Sequence, residues 1–412
     1  MEESYNSVLY YIKRNVPFYF KYMNEEWQDL PIINKMLIRD RYSDFVNVCI
    51  EQNKREQIIS ILNDKSIVGT SSHNELCMLD DLIFEETTGT SGQPFRVVKS
   101  IPERIRMGKI LWEYRKNIDP EIDSSHYYLF NHTSLGKENP NVYNYNKQHI
   151  LDIYRNVIDK KARWIHTSVV PLLKHIEILE STKMQYNFSN LRFIELTGNF
   201  VTEEQIGIIE DFFQAKVLNF YGCIETWGIA YPCINDFLQI CKDNVYVELI
   251  DDEGHVIESI GKIGRVVVTT LCNKIMPLIR YDTGDFAKYK EINGGKYEPH
   301  TIIELQEGRE INYIKGIKEK KLGTKQFGNI LTYVKREKNL SELEYIQFVQ
   351  VEENKFVVYM NNWDEQGEVA EVIKRITCER LEKRVELKFI YLTEKEIEER
   401  KYEKPNLFLC KC

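Results

Sequence analysis

No apolar stretch of the 412-residue chain approaches the ~20 residues that a membrane-spanning helix needs, and Met1-Glu2-Glu3-Ser4 has neither the basic start nor the apolar core of a signal peptide. The expectation is a cytoplasmic protein. Positive charge is also short: 55 Lys and Arg against 63 Asp and Glu leave a net charge of −8, which argues against nucleic acid or an anionic membrane as the main partner. Repeats and low-complexity segments are missing. So are the commoner phosphate and nucleophile signatures. Gly89 and Gly92 stand too close together for a P-loop or a GxGxxG turn, and Gly89-Thr90-Ser91-Gly92 is not the GxSxG elbow of a hydrolase. The nine cysteines are odd in number and irregularly spaced, which suits reduced thiols better than a disulfide framework.

What is present begins with size. At 412 residues with 43% hydrophobic residues, the chain has material for two domains with at least one large core. Leu9, Ile12 and Val16 recur at helical spacing before Pro17 stops the helix. From Pro102 to Tyr221, helical and strand patterns alternate. Helices are expected over 102–117, 150–158 and around His175 and Leu179, and strands over 127–130, 191–196 and 217–221. Thr202 and Gln205 form a capping box for a helix that carries Ile206, Ile209 and Phe213 on one face. Each strand runs into a polar or glycine turn, which implies a layered α/β domain with its site at the strands' carboxyl ends. Segments 245–250 and 264–270 then read as antiparallel β structure, interrupted by Arg280-Tyr281-Asp282-Thr283-Gly284-Asp285. Beyond Gly308-Arg309 comes an α+β pattern of roughly 100 residues. The reading is a large multi-layered α/β domain with a β subdomain over 1–308, then a small mobile α+β domain over 309–412.

The stretch Thr87-Thr88-Gly89-Thr90-Ser91-Gly92-Gln93-Pro94 lies between apolar Leu82-Ile83-Phe84 and Val97-Val98. Its glycines permit φ > 0, so successive N–H groups and hydroxyls can converge on one anion. A polar hairpin turn has the same composition. Four further words follow in order: Thr197-Gly198-Asn199, Tyr221-Gly222-Cys223-Ile224-Glu225, Pro277 to Asp285 (PLIRYDTGD), and Gly308 to Lys315 (GREINYIK). Together the five resemble the adenylate-forming superfamily of acyl-CoA synthetases and peptide-synthetase adenylation domains. Thr269 to Leu271 (TTL) and Met276 to Tyr281 (MPLIRY) are similar to its phenylacetate-CoA ligase and CapK-like branch, as are Asn15 to Tyr19 (NVPFY) and Leu30 to Lys35 (LPIINK).

The resemblance implies activation of a carboxylate on ATP, loss of pyrophosphate and capture of the acyl group by a thiol. The loop Thr87 to Gly92 would hold the β and γ phosphates, and Glu225 would bind Mg²⁺, a hard cation suited to a carboxylate. Tyr221 would stack on adenine, Gly198 and Gly222 would leave room beside it, Asp285 would accept from the ribose hydroxyls, and Arg309 would approach ribose or phosphate. Lys404 aligns with the adenylating lysine, with Lys401 as the alternative. Each residue also has a plainer reading as a packed aromatic, a turn residue or a solvated charge. Two departures stand out: Gln93 replaces a loop lysine, with Arg96 and Lys99 near in sequence to offset it, and Ile311 occupies a hinge position that is often polar.

For the acid, the resemblance points to Asn131, His132, Trp164, His166, Ser168, Asn199, Ile224, Trp227 and Gly228. Flat walls take an aromatic ring and Asn, His or Ser can bind ring hydroxyls. The overall likeness favours 3,4-dihydroxybenzoate, activated for siderophore assembly. The thiol acceptor is a phosphopantetheinylated carrier protein or coenzyme A. A non-catalytic nucleotide-binding relative is the alternative outside enzymology. Cys223, Cys233, Cys241 and Cys272 offer four thiols for a structural Zn²⁺, or are buried unligated cysteines.

Overall fold

The computed structural model describes the chain except residues 1, 65–74, 88–94, 131–143, 199–200, 234–236, 252, 292–297, 310–313, 316–326, 328–329, 332–333, 335–344, 362–366, 382, 402–407 and 411–412. The chain divides into a larger unit comprising Met1–Thr87, Pro94–Thr283 and Ala287–Leu305, and a smaller one built on Gln306–Cys412.

The larger unit opens with α1 (Glu2–Asn15), whose Leu9 and Ile12, followed by Val16, are buried as the spacing predicts. Pro17 cannot continue an α-helix, and the chain turns into a 3₁₀ segment over Pro17–Tyr22. Short helices α2 (Lys35–Asp40) and α3 (Tyr42–Phe45) and the longer α4 (Gln52–Asn63) follow. Strands β1 (Glu75–Leu79), β2 (Leu82–Thr87) and β3 (Phe95–Ser100) form an antiparallel sheet in which Thr87 pairs with Phe95. The glycine-rich stretch is therefore the connection of the β2–β3 hairpin. Ser100 and Glu103 then close a capping box, with Pro102 in the first turn, and start α5 (Ile101–Ile118).

The alternating middle of the sequence becomes a parallel sheet in the order β4 (Tyr127–Leu129), β5 (Trp164–Thr167), β6 (Phe193–Leu196), β7 (Lys216–Asn219). Helices α6 (Lys147–Asp159), α7 (Val169–Ser181) and α8 (Glu203–Phe213) supply its crossovers, and α8 starts at the predicted Thr202–Gln205 capping box. One face of the sheet, with Ile165, Ile194, Leu196 and Val217, packs into a core with Ile153, Leu172, Ile176, Ile209 and Phe213.

A seven-stranded sheet joins β8 (Tyr221–Cys223), β9 (Trp227–Pro232), β10 (Leu238–Ile240), β11 (Val245–Ile250), β12 (Ile263–Thr270), β13 (Tyr281–Tyr289) and β14 (Ile302–Arg309) in the order 11-12-13-14-10-9-8. Two sequence expectations are corrected here. The stretch Val217 to Tyr221 is not one strand, because Phe220 separates β7 in the parallel sheet from β8 in this one. Nor does Arg280 to Asp285 interrupt the β structure: Arg280 takes φ +52 and the remaining residues open β13. The N-terminal segment adds to that strand. Ile33 bridges Tyr281 in parallel, receiving the Asp282 N–H at 2.8 Å and donating to the Arg280 carbonyl at 2.9 Å.

In the smaller unit, β15 (Ile346–Glu352) and β16 (Lys355–Asn361) pair antiparallel and are flanked by β17 (Glu386–Leu392) and β18 (Phe408–Cys410), each parallel to its neighbour. Helix α9 (Glu368–Leu381) contributes Val369, Ile373 and Ile376 to a core with Phe327, Phe348, Phe356 and Phe408, and α10 (Glu394–Lys401) follows β17. Among the described residues no helix is long and apolar enough to cross a membrane.

Candidate functional site

The turn after β8 is forced by glycine. A Cβ on Gly222 would overlap the backbone carbonyl of Trp227, the residue that closes the turn with φ +62. That turn drives Glu225 inward until it is fully buried. Its Oε1 lies 2.8 Å from the Lys35 ammonium and receives the Tyr281 hydroxyl at 2.7 Å. Oε2 is buried and has no hydrogen-bond partner among the described residues. Burial alone would raise the carboxyl; the Lys35 charge and the hydrogen bonds from Lys35 and Tyr281 outweigh it and hold the group down at about 2. The result is a desolvated carboxylate, ionised at neutral pH, whose Oε2 is unpartnered among the described residues.

The two central sequence words meet at this point. Tyr221 donates its hydroxyl to Thr283 Oγ1 at 3.1 Å, and its ring is buried in the main core. Asp282, on the opposite face of β13, pairs with Arg265 at 2.5 Å. Asp285 lies further along β13 and is partly exposed. Gly198 follows β6 with φ +82, and Ser168 follows β5 at the start of α7, both at the carboxyl ends of the parallel strands. The Ile224 carbonyl accepts Lys99 Nζ at 2.6 Å. Trp227 is half-buried, its indole N–H 3.4 Å from both Glu85 oxygens and its ring 4.7 Å from the Arg104 guanidinium.

Three expectations change. Trp164 is no pocket wall: it begins β5 at the end of the sheet away from the site, is fully buried against Phe193 at 4.7 Å and donates its indole N–H to Asp119 at 3.0 Å. Arg96 and Lys99 do not stand in for Gln93. Arg96 is bound to Glu86 at 2.6 Å and to the Ile61 carbonyl, and Lys99 is fully buried against Glu85 at 2.5 Å. The zinc set is not assembled either. Cys241 and Cys272 are buried with Met107, Leu111 and Tyr231, and Cys223 Sγ lies 3.2 Å from the Thr226 hydroxyl. Burial raises the Cys223 thiol to about 12. Among the described residues the single trio of metal-type groups is Asp251, Glu253 and His255, with no cysteine.

Thr88, Gly89, Thr90, Ser91, Gly92, Gln93, Asn131, His132, Asn199, Ile311 and Lys404 lie outside the described residues, as do the side chains of Thr87, Arg309 and Lys401, whose backbones belong to β2, β14 and α10.

Sequence reasoning missed Lys35 and Glu195. Lys35 stands inside the Leu30 to Lys35 word without any sign of its partner. Glu195 carried a signal, a carboxylate between Ile194 and Leu196 in a strand that parallel pairing buries on both faces.

No protein-family model matches the chain. A phenylacetate-coenzyme A ligase of Pseudomonas putida is 32% identical over 91 residues, which span 21% of this chain and 21% of that relative. A 2-hydroxyisobutyryl-CoA ligase solved in the postadenylation state with 2-HIB-AMP superposes with a TM-score of 0.61 at 13% identity, covering 93% of this chain and 84% of that one. The same ligase in an open conformation, with 2-HIB-AMP and CoA, gives 0.55 at 13% identity over 95% of this chain and 87% of the other. The fold is that of the adenylate-forming CoA ligases. An anthranilate CoA ligase in complex with anthranoyl-AMP gives 0.52 at 10% identity over 78% of this chain and 67% of that one. Within the adenylate-forming fold, the β8 turn and β13 converge on Glu225.

Proposed function

We propose that the chain is an ATP-dependent acid:thiol ligase that works through an acyl-adenylate. The observation that carries this reading is Glu225, buried, held ionised by Lys35 and Tyr281, and left with an unfilled Oε2. Such a group suits a hard divalent cation, so the residues present fit Mg²⁺. Bound there, the ion supplies charge neutralisation for phosphate oxygens. The acid's carboxylate attacks the α-phosphorus of ATP, the bond to the β-phosphate bridging oxygen breaks, and pyrophosphate leaves. A thiolate then attacks the acyl carbon and AMP leaves. The protein's own part is to neutralise and align two anions. In this reading the Thr87 to Gly92 loop cradles pyrophosphate, Tyr221, Gly198 and Gly222 border the purine, and Asp285 and Arg309 hold ribose. Lys404 comes from a lid formed by residues 309–412.

The acid is proposed to be aromatic, with 3,4-dihydroxybenzoate as the best candidate and Ser168, Ile224 and Trp227 on its pocket, together with His132 and Asn199. The acceptor is the phosphopantetheine thiol of a carrier protein in petrobactin-type siderophore assembly. Free coenzyme A is the second reading, favoured by the likeness to phenylacetate-coenzyme A ligase. Acid-dependent exchange of labelled pyrophosphate into ATP tests the first step. No exchange with any member of a benzoate and phenylacetate panel, beside an active control enzyme, overturns the proposal. Mass spectrometry of the thioester formed with coenzyme A or with a loaded carrier separates the two acceptors.

A further inference from the structure

The second face of the parallel sheet changes character along its strands. At the amino end Trp164 and Phe193 stand in register on it, their rings 4.7 Å apart, in an apolar cluster. One alternation further on, His166 and Glu195 stand side by side in register on β5 and β6. Glu195 is fully buried and its carboxylate is saturated. Arg115 on α5 donates Nε to Oε2 and Nη2 to Oε1, each at 2.8 Å; Tyr127 donates to Oε1 at 2.8 Å; Tyr231 on β9 donates to Oε2; and His166 Nδ1 lies 2.6 Å from Oε1. Arg115 and the two tyrosines suffice to neutralise and solvate a buried carboxylate. The histidine does something else. Because the ionised carboxylate can only accept, Nδ1 carries the proton between them, which leaves Nε2 as the ring nitrogen available to a ligand.

That nitrogen makes no hydrogen bond among the described residues, and 13% of the His166 side chain is exposed. The ring is flanked by Phe220 at 5.9 Å and 35° and by Tyr127 at 6.1 Å and 33°. His166 is the penultimate residue of β5, at the carboxyl rim where α/β sheets take their ligands, two residues before Ser168. We infer that His166 Nε2 selects aromatic acids bearing a hydroxyl or amino donor on the ring, and that Glu195 is the positioning residue that fixes its tautomer. This rests on the proposed acid-activating function and narrows its substrate class.

The full-length protein is assayed for pyrophosphate exchange with benzoate, 3-hydroxy-, 4-hydroxy-, 4-amino- and 3,4-dihydroxybenzoate, as wild type, His166→Phe and His166→Gln. The expected result is a preference for at least one ring-substituted acid over benzoate of about tenfold or more in kcat/KM, the scale of a satisfied hydrogen bond. The preference is lost in His166→Phe through a rise in KM for the ring-substituted acid. Exchange in which benzoate is as good, or in which His166→Phe keeps the preference, overturns the role of His166 and leaves the ligase reading standing. Nitrogen-15 histidine NMR reads the same claim without turnover. The His166 resonances, assigned by their loss in His166→Gln, should show the Nδ1–H tautomer, and the Nε2 signal should move when 3,4-dihydroxybenzoate is added. Glu195→Gln should disturb the tautomer while circular dichroism stays unchanged. An Nε2–H tautomer in the wild type, or an Nε2 signal indifferent to every acid, overturns the assignment; absence of all exchange overturns the ligase reading instead.

Discussion

The Lys35 ammonium sits 2.8 Å from the same Glu225 oxygen that takes the Tyr281 hydroxyl at 2.7 Å. Lys35 opens α2, capped by Asn34, whose side chain accepts the Leu37 N–H. The segment just before it is pinned to β13 through Ile33. The N-terminal segment thus delivers one cation to a carboxylate that the β8 turn has removed from water. Its head is one-third exposed and can stay hydrated when unpaired; Glu225, at 1%, cannot.

Lys35→Met should therefore be punished through Glu225. In the wild type the carboxyl is lowered from 4.5 to about 2, so its stabilising contribution is complete above pH 4.5 and drains away as pH falls through about 2. Without Lys35, burial is opposed only by the hydrogen bonds from Tyr281 and from the Glu225 backbone N–H, and the carboxyl rises. The variant should lose about 3 kcal/mol at neutral pH and recover part of it on acidification towards pH 5, in excess of any gain the wild type shows over the same range. Melting temperatures across that range check it, and parallel curves would refute it.

Glu225→Gln separates stability from activity. The amide is isosteric and can still accept from Tyr281, while Lys35 can turn to water. We expect melting within a few degrees of wild type and a loss of at least about 100-fold in pyrophosphate exchange, the usual scale for removing a preorganised charge. Exchange within a few-fold of wild type would remove Glu225 from the proposed chemistry.

The larger architecture was readable from periodicity because apolar alternation and capping are local. The Thr202–Gln205 box, α5 and the β11–β12 hairpin appear where the pattern puts them. What was not readable is pairing across long sequence distances. Nothing near Lys35 announces Glu225, and nothing near Arg115 announces Glu195. Trp164 was misplaced for the same reason. The strand β5 was not among the expected elements, and the end of it that Trp164 occupies, and Asp119 waiting for its indole N–H, are set by tertiary packing. Arg96 and Lys99 show the converse error, cations adjacent in sequence to the loop proposed to hold phosphate but committed across the hairpin to Glu86 and Glu85.

Glu248 should make the fold sensitive to pH at the upper end. It is buried at 1% exposure, with Arg280 Nη2 3.1 Å away, and burial raises its carboxyl to about 7 against the partial relief that Arg280 gives. With the folded value above the unfolded 4.5, the native state holds a proton that the unfolded chain has released, so stability falls as pH rises from about 4.5 to about 7 and is flat above. Glu248→Gln keeps an acceptor for Arg280, which also donates to the Leu30 carbonyl at 2.8 Å. The melting temperature of this variant should decline less than that of the wild type between pH 5 and 7.5. Equal declines would show that Glu248 does not titrate there.

Two glycines of the site should fail differently. At Gly198 a Cβ meets nothing within 4 Å, so alanine costs only the strain of φ +82, about 1 kcal/mol. At Gly222 a Cβ collides with the Trp227 carbonyl, a backbone atom that cannot step aside without undoing the turn that buries Glu225. Gly222→Ala should cost more than about 3 kcal/mol and abolish exchange, whereas Gly198→Ala should remain folded with a modest fall in melting temperature. Similar destabilisation of the two would contradict this account.

Gln93 finds no substitute in Arg96 or Lys99. Lysines and arginines placed near a phosphate act as point charges, and a loop that lacks one must rely on N–H groups and hydroxyls. The two cations closest in sequence cannot be redirected cheaply: freeing Lys99 takes from Glu85, which is 3% exposed, its shortest ion pair, and freeing Arg96 gives up Glu86 and a backbone carbonyl. A charge introduced at position 93 therefore adds to the loop instead of duplicating what is there. Gln93→Lys should lower the KM for ATP in pyrophosphate exchange by about three- to tenfold at low ionic strength, with the advantage shrinking as salt is raised and no change in KM for the acid. An unchanged KM for ATP at every ionic strength would mean that the 87–94 loop does not meet the phosphates, and the proposed role of Thr87 to Gly92 would go with it.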